Sequence, residues 1–334
     1  MGDIIEDAIA AIKADMDITD LTDFILQPKQ QDMLMEAMEV QTRILPNIRS
    51  VRMERPKEHI DSIQFYGRVT HAGSNADGSI RVITDSDKVQ VTGEHNILDA
   101  KELTAATAIR DRALRRVIGQ QRTAPFIVNL LGNAAGRDFE ELAIFGNRDI
   151  EYADDDVLCQ TDGFAKKANN HLFGVGLDKD FDPADDLFPF NMFDEMINAM
   201  PNQYLDDLTN YRFLIDWDTF NKALDLWGLR NTAMGDQALS SGVLPAYKGI
   251  KPVYIPLMNR AKTAQVDLDK GHLGGVSILS NLLNMNWGIF HEVTLEPKRV
   301  PEGRATEWYL SYEGDVQYQE RGAAVTSFLD IESL

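Results

Sequence analysis

The chain has 334 residues, 44% hydrophobic and 26% charged, so it can bury a sizeable core and is long enough for two or more lobes. A formal charge of -20 at pH 7 excludes broad electrostatic binding to DNA, RNA or anionic lipid, although a local basic patch is still compatible with it. The single cysteine, Cys159, excludes an intrachain disulfide framework and a cysteine-based zinc site, as expected for a reducing compartment.

The opening "MGDIIEDAIAAIKAD" is acidic and interrupted by charges, unlike a secretory signal. No apolar run approaches the roughly 20 residues that span a bilayer, so no membrane partner and synthesis in the cytoplasm are expected. Ile4, Ile5, Ala8, Ile9 and Ile12 share one helical face, and "PKQQDMLMEAMEVQTRIL" predicts a second helix with Pro28 in its first turn. Both segments are amphipathic without a core of their own, so they must lie on the body, a neighbour or a partner.

From residue 60 to about 92 the pattern changes. Ile63, Phe65 and Val69 alternate with polar residues, as do Ile80 and Val82, around the turn-forming cluster "HAGSNADGS". A long hairpin is predicted, with polar sides, little core, and a tip carrying Gly73, Asn75, Asp77 and Gly78. Such a projection gains little in a monomer and much if it reaches a neighbour.

From Leu98 the spacing of Leu103, Ala106, Ala113 and Val117 predicts a helix. After "GQQRTAP" a second helix carries the stripe Ile127, Leu131, Ala135, Phe139 and Leu142. Gly132 and Gly136 each cost about 1 kcal/mol inside it, which points to close backbone approach by another element. Gly146 is the expected C-terminal stop.

Residues 151–286 read as mixed α/β. "YRFLIDW" predicts a buried strand, "DTFNKALDLWGL" a helix with Asp218 as candidate N-cap, and "VLPAYKGIKPVYIPLM" a turn and a strand. "GIFHEVTLEP" alternates, with Ile289, Val293 and Leu295 on one side. Trp308, Leu310, Tyr312, Val316 and Tyr318 alternate with polar residues in a second strand. "KRVPEGRA" joins the two as an exposed turn carrying Lys298, Arg299, Glu302 and Arg304.

The acidic stretches raise the question of chemistry. Glu140 and Glu141 in "RDFEELAIFGN" are helical neighbours diverging by about 100°, and cannot share an ion without a partner elsewhere. Asp154, Asp155 and Asp156 lack the alternation and central glycine of a calcium loop. A solvated helix end followed by an acidic loop is the favoured reading over a metal site. His59, His71, His95, His171, His272 and His291 have no metal-binding spacing. Cys159 has no local catalytic signature, and its acidic neighbours make it a poor thiolate. No phosphate loop or dinucleotide fingerprint occurs, because the glycines of "HAGSNADGS" lead into no helix. No catalytic residue, cofactor or metal is therefore assigned. One basic cluster stands out: Arg110, Arg112, Arg115, Arg116 and Arg122. In so acidic a chain, pairing within or between subunits is favoured over nucleic acid.

Four stretches in order resemble the major capsid proteins of tailed bacteriophages, the Hong Kong 97-like fold. They are the hairpin at 60–92, the helix ending "RDFEELAIFGN", the block "LRNTAMGDQALSSGVLPAYKGIKPVYIPLM", and the closing strands "GIFHEVTLEP" and "TEWYLSYEGDVQYQERGAAV". The resemblance implies an α+β subunit with an N-terminal arm (1–50) and an extended loop (51–100). A peripheral domain with a long spine helix (101–150), an axial domain (151–286), and C-terminal strands returning to the peripheral domain (287–334) would follow. It implies a structural, non-enzymatic protein of the virion, assembling through pentamers and hexamers into an icosahedral shell that encloses double-stranded DNA without reading its sequence. The implied partners are other copies, a scaffolding protein, a portal and a decoration protein. The hairpin, the "KRVPEGRA" turn and the arginine cluster become candidate intersubunit contacts. Some relatives crosslink through a lysine on the extended loop; Lys88 lies there, but its partner set is not identifiable and the chemistry is not carried over. Two alternatives are a cellular nanocompartment shell and a carboxylate-dependent metal hydrolase.

Overall fold

The computed structural model describes residues 42–65, 69–74, 77–84, 88, 91–110, 123–153, 155–174, 179–205, 207–229, 239–258 and 273–330. The two N-terminal helices predicted from the sequence fall almost wholly outside them.

The strands, in chain order, are β1 (Arg49–Met53), β2 (Lys57–Phe65), β3 (Val91–Asp99), β4 (Lys101–Arg110), β5 (Asn170–Phe173), β6 (Tyr211–Ile215), β7 (Lys251–Tyr254), β8 (Leu273–Asn281), β9 (Met285–Val300), β10 (Ala305–Tyr318) and β11 (Ala324–Asp330). The helices are α1 (Thr123–Phe145), the single turn α2 (Phe164–Lys167), α3 (Phe190–Ala199) and α4 (Trp217–Gly228). They form a four-stranded sheet ordered β1-β9-β10-β4, a five-stranded sheet ordered β5-β11-β8-β6-β7, and a separate ribbon of β2 and β3. Both sheets mix parallel and antiparallel pairs.

The first sheet and α1 enclose the larger core. The inner stripe of α1, Leu131, Ala135, Phe139 and Leu142, is buried as its spacing predicts. It packs against Trp287, Leu310 and Tyr312, with the Phe139 ring 5.7 Å from Trp287 and edge-on to Tyr312 at 6.1 Å. The second sheet is covered on both faces. Leu214, Val276, Ile278 and Phe328 join the larger core, while Phe213, Ile215, Leu279 and Val325 pack with Phe190, Phe193 and Phe220 of α3 and α4.

Several local readings change. Residues 101–110, predicted helical, form β4. Leu103 is buried and Ala105, Thr107 and Ile109 are half-buried, whereas Glu102, Thr104, Ala106, Ala108 and Arg110 are exposed. Leu103 and Ala106 therefore lie on opposite faces. A ten-residue register with β10, from Lys101↔Gly314 to Arg110↔Ala305, overrides the helical preference of an alanine-rich segment. The N-cap of α4 is Asp216, whose carboxylate accepts from Thr219 N–H at 3.2 Å, in place of Asp218. Gly146 does end α1, but for a steric reason. A Cβ there would lie 2.3 Å from Thr161 O, where the chain crosses back, and Gly146 O accepts from Gly163 N–H at 2.7 Å. Finally, β11 does not return to the first sheet. It pairs with β5 and β8 in the second, so the final strands divide between the two sheets.

Candidate assembly surfaces

The hairpin begins earlier and ends later than its hydrophobic pattern indicates. Its regular ladder runs from Lys57↔Asp99 to Phe65↔Val91. Beyond it, among the described residues, a Ser74↔Ile80 bridge and a bond from Arg81 N–H to Gly73 O (3.1 Å) hold the tip. Gly78 takes the left-handed conformation at φ +81°, which only a residue without Cβ adopts cheaply. Asp77 accepts from the Ser79 amide at 2.9 Å and the Ser79 hydroxyl at 2.6 Å, and these bonds hold its carboxyl below the usual range. Asn75 lies outside the described residues. Around this ordered tip Val69, Ile80, Val82 and Ile83 are 56%, 86%, 78% and 57% exposed. All four are apolar, β-branched side chains left exposed toward the far end of the ribbon.

The base of the ribbon is anchored to its own chain. Asn96 donates its side-chain amide to Gln319 O (3.0 Å), Gln317 donates to Ile97 O (3.2 Å), and Arg321 N–H donates to Glu94 (2.9 Å). Asp99 N–H donates to Asp315 at 2.8 Å. Asp315 also accepts from the Thr161 hydroxyl at 2.7 Å and pairs with Lys167 at 3.0 Å, although its side chain is 1% exposed. Nothing in the spacing of the sequence marked this buried pair. Its partners are brought together only by the crossing of α2 over β10.

The exposed turn between β9 and β10 is shorter than expected. Glu302 and Arg304 lie in it, whereas Lys298 and Arg299 belong to β9 and pair with Glu307 and Thr306, because the ladder with β10 runs on to Val300. All four are exposed. Arg304 adopts φ 45°, a left-handed conformation unusual for a side chain of its size, and its N–H donates to Pro301 O at 3.2 Å. The strand register brings a distant residue to the same place. Ala305 faces both Val300 and Arg110, so Arg110 stands at the end of the sheet that carries the turn. The other members of the arginine cluster, Arg112, Arg115, Arg116 and Arg122, lie outside the described residues.

The adjacent glutamates separate as helical geometry requires, but not into a solvated end. Glu140 is 3% exposed and accepts from Arg43 N–H (2.8 Å) and Ile44 N–H (2.6 Å), fastening the end of the N-terminal segment to α1. Burial pushes its carboxyl above the usual range, against the opposing pull of the two amides and Arg43. Glu141 instead lines an open acidic cleft with Asp138, Asp155 and Asp156. Asp155 is spent on the amides of Val157 (2.9 Å) and Leu158 (2.8 Å). Among the described residues, no group of histidine, cysteine and carboxylate side chains is placed to hold a metal ion. No described helix is long and apolar enough to cross a membrane.

No family model matches the chain. A curated protein of Bacillus subtilis (strain 168), named "Putative prophage capsid protein YqbE", is 25% identical over 236 residues, covering 70% of this chain and 71% of that protein. Among solved structures, a chain of the satellite phage P4 procapsid with its size determination protein superposes with TM-score 0.61 at 15% identity, over 99% of this chain and 98% of that one. Mycobacterium phage Che8 gives TM-score 0.56 at 10% identity, over 86% and 91%. The capsid of an empty GTA particle gives 0.55 at 11%, over 87% and 90%. The chain has a phage capsid fold of mixed α and β content, and these matches favour neither a nanocompartment shell nor a metal hydrolase.

Proposed function

We infer that the chain is a phage major capsid protein, a structural subunit whose working form is a closed shell of many copies. The observation that carries this is the likeness to capsid chains over nearly the whole length, together with a sequence relative named as a prophage capsid protein. The physical reading agrees with it. The ribbon is anchored at its base and exposes Val69, Ile80, Val82 and Ile83 at its far end, so burial of that end has to come from another copy.

In the finer assignment, α1 and the first sheet form the peripheral domain, and the second sheet with α3 and α4 forms the axial domain. The ribbon is the extended loop, and residues 1–50 are the arm. Pentamers and hexamers of this subunit build an icosahedral shell around double-stranded DNA, and the subunit itself catalyses nothing. Synthesis takes place in the host cytoplasm; a scaffolding protein, a portal and a decoration protein are the further partners. The turn at 301–304 and Arg110 meet their counterparts between capsomers. Leu229, Leu239 and Val243, exposed on either side of residues 230–238, face the symmetry axes.

Expression of the full chain, alone and with a scaffolding protein, followed by sedimentation and negative-stain microscopy, tests the assignment. Rings or closed particles are expected. A persistent monomer under both conditions overturns it.

A further inference from the structure

A cavity of about 340 Å³ lies where the ribbon base meets the end of α1, α2 and β10. Its lining includes Lys57, Arg148, Lys166, Lys167 and Arg321, against the carboxylates of Asp99, Asp162 and Asp315. This is a local excess of positive charge in a chain whose formal charge is -20.

The three carboxylates are already committed. Asp315 is held by Lys167 (3.0 Å), Asp162 by Lys166 (3.2 Å) and Arg148 N–H (3.0 Å), and Asp99 by Lys101 (2.8 Å). The remaining cations are under-matched. Lys57 has only a 3.5 Å approach to Asp99. The exposed Arg148 guanidinium acts on Asp162 through its charge but makes no hydrogen bond or ion pair among the described residues, and Arg321 Nε–H has no acceptor among them. Arg148 and Arg321 thus bring two planar guanidinium groups to the lining of the cavity. Burial also holds the Lys167 ammonium below the usual lysine range. Asp315 opposes this shift, whereas the Arg148 charge adds to it.

We propose that this cavity is an oxyanion site in which Arg148 and Arg321, with Lys57 as a third cation, hold a phosphate or carboxylate group. Guanidinium forks match the paired oxygens of both groups. The volume lies at the lower end of small-ligand cavities, enough for one phosphate, a small polycarboxylate or a single acidic side chain. The group has two sources, a free anion or an Asp or Glu side chain of a neighbouring copy. Either one ties the ribbon, through Lys57, to the end of α1 and to the segment between β10 and β11.

Inorganic phosphate is the probe, titrated calorimetrically at constant ionic strength into full-length chain at a concentration where sedimentation shows no particles. Saturable binding is expected, weakened at least about tenfold by Arg148→Gln and by Arg321→Gln and unchanged by the exposed Lys251→Gln. Absence of saturable binding, or variants that bind like the parent, overturns the site. Arg148 is exposed, so its variant keeps the test meaningful if Arg321→Gln fails to fold. The titration does not depend on shell formation, so its outcome is separable from that of the assembly experiment. Repeating it on assembled particles identifies the source: equal binding indicates a free anion, and binding at least about tenfold weaker indicates a carboxylate from the neighbouring copy.

Discussion

Glu140 and Glu141 show how much one residue of helical phase decides. Glu141 faces a cleft open to water, whereas Glu140 turns inward and receives the backbone of Arg43 and Ile44. Glu140→Ala leaves these N–H groups without their acceptor and is expected to destabilise the chain by about 1–3 kcal/mol. Glu140→Gln keeps an acceptor and removes the ionisation cost, so it should lie much closer to the parent at neutral pH. Because the folded carboxyl titrates above its unfolded value, the parent loses stability as pH rises through that interval, and the Gln variant should lose this dependence. Denaturant unfolding across pH checks both outcomes; an Ala variant as stable as the parent would show the bonds to be incidental. Tyr211 provides an alkaline test. Burial, reinforced by Glu320 and Asp207, pushes its hydroxyl from 10.0 up to about 12. A group raised in the folded state stabilises fully below the unfolded value and ceases to do so as pH climbs through the folded one. Stability should therefore fall between about pH 10 and 12, and Tyr211→Phe should flatten the part of the fall that follows tyrosinate absorbance.

Elements differ in how openly the sequence declares them. The α1 stripe and the alternation in β10 are legible because each contains its own complete burial pattern. Residues 101–110 are not, because "KELTAATAIR" is compatible with either period and the decision rests with β10, which follows some two hundred residues later. The ribbon is legible as a hairpin but not in extent, since its turn residues and alternation leave the length of the ladder open. Its exposed end makes a prediction at this scale. Ile80→Ser combined with Val82→Ser should change the unfolding free energy of the isolated subunit by less than about 0.5 kcal/mol, because neither side chain is covered in it. The same double variant should sharply lower the yield of sedimenting particles. Loss of subunit stability comparable to a core substitution would mean that the ribbon's end is packed at home after all.

Across the whole molecule, the chain builds two sheets that share a core and exchange strands in an order unrelated to sequence. β1 joins β9, β4 joins β10, and β11 leaves its neighbour β10 to complete the second sheet. Lys167 and Asp315 stitch the start of the second sheet to β10 of the first. From its own residues the sequence determined the globular composition, the acidic balance, the long helix, the closing strands and the presence of a hairpin. These follow from local periodicity and residue chemistry, which neighbours along the chain suffice to express. Only the tertiary structure decided that Arg110 would stand beside the 301–304 turn, that Glu140 would be buried, and that five basic side chains would surround one cavity. Each depends on strand register and chain crossing, where the energy lies between residues far apart in sequence and leaves no local pattern to read.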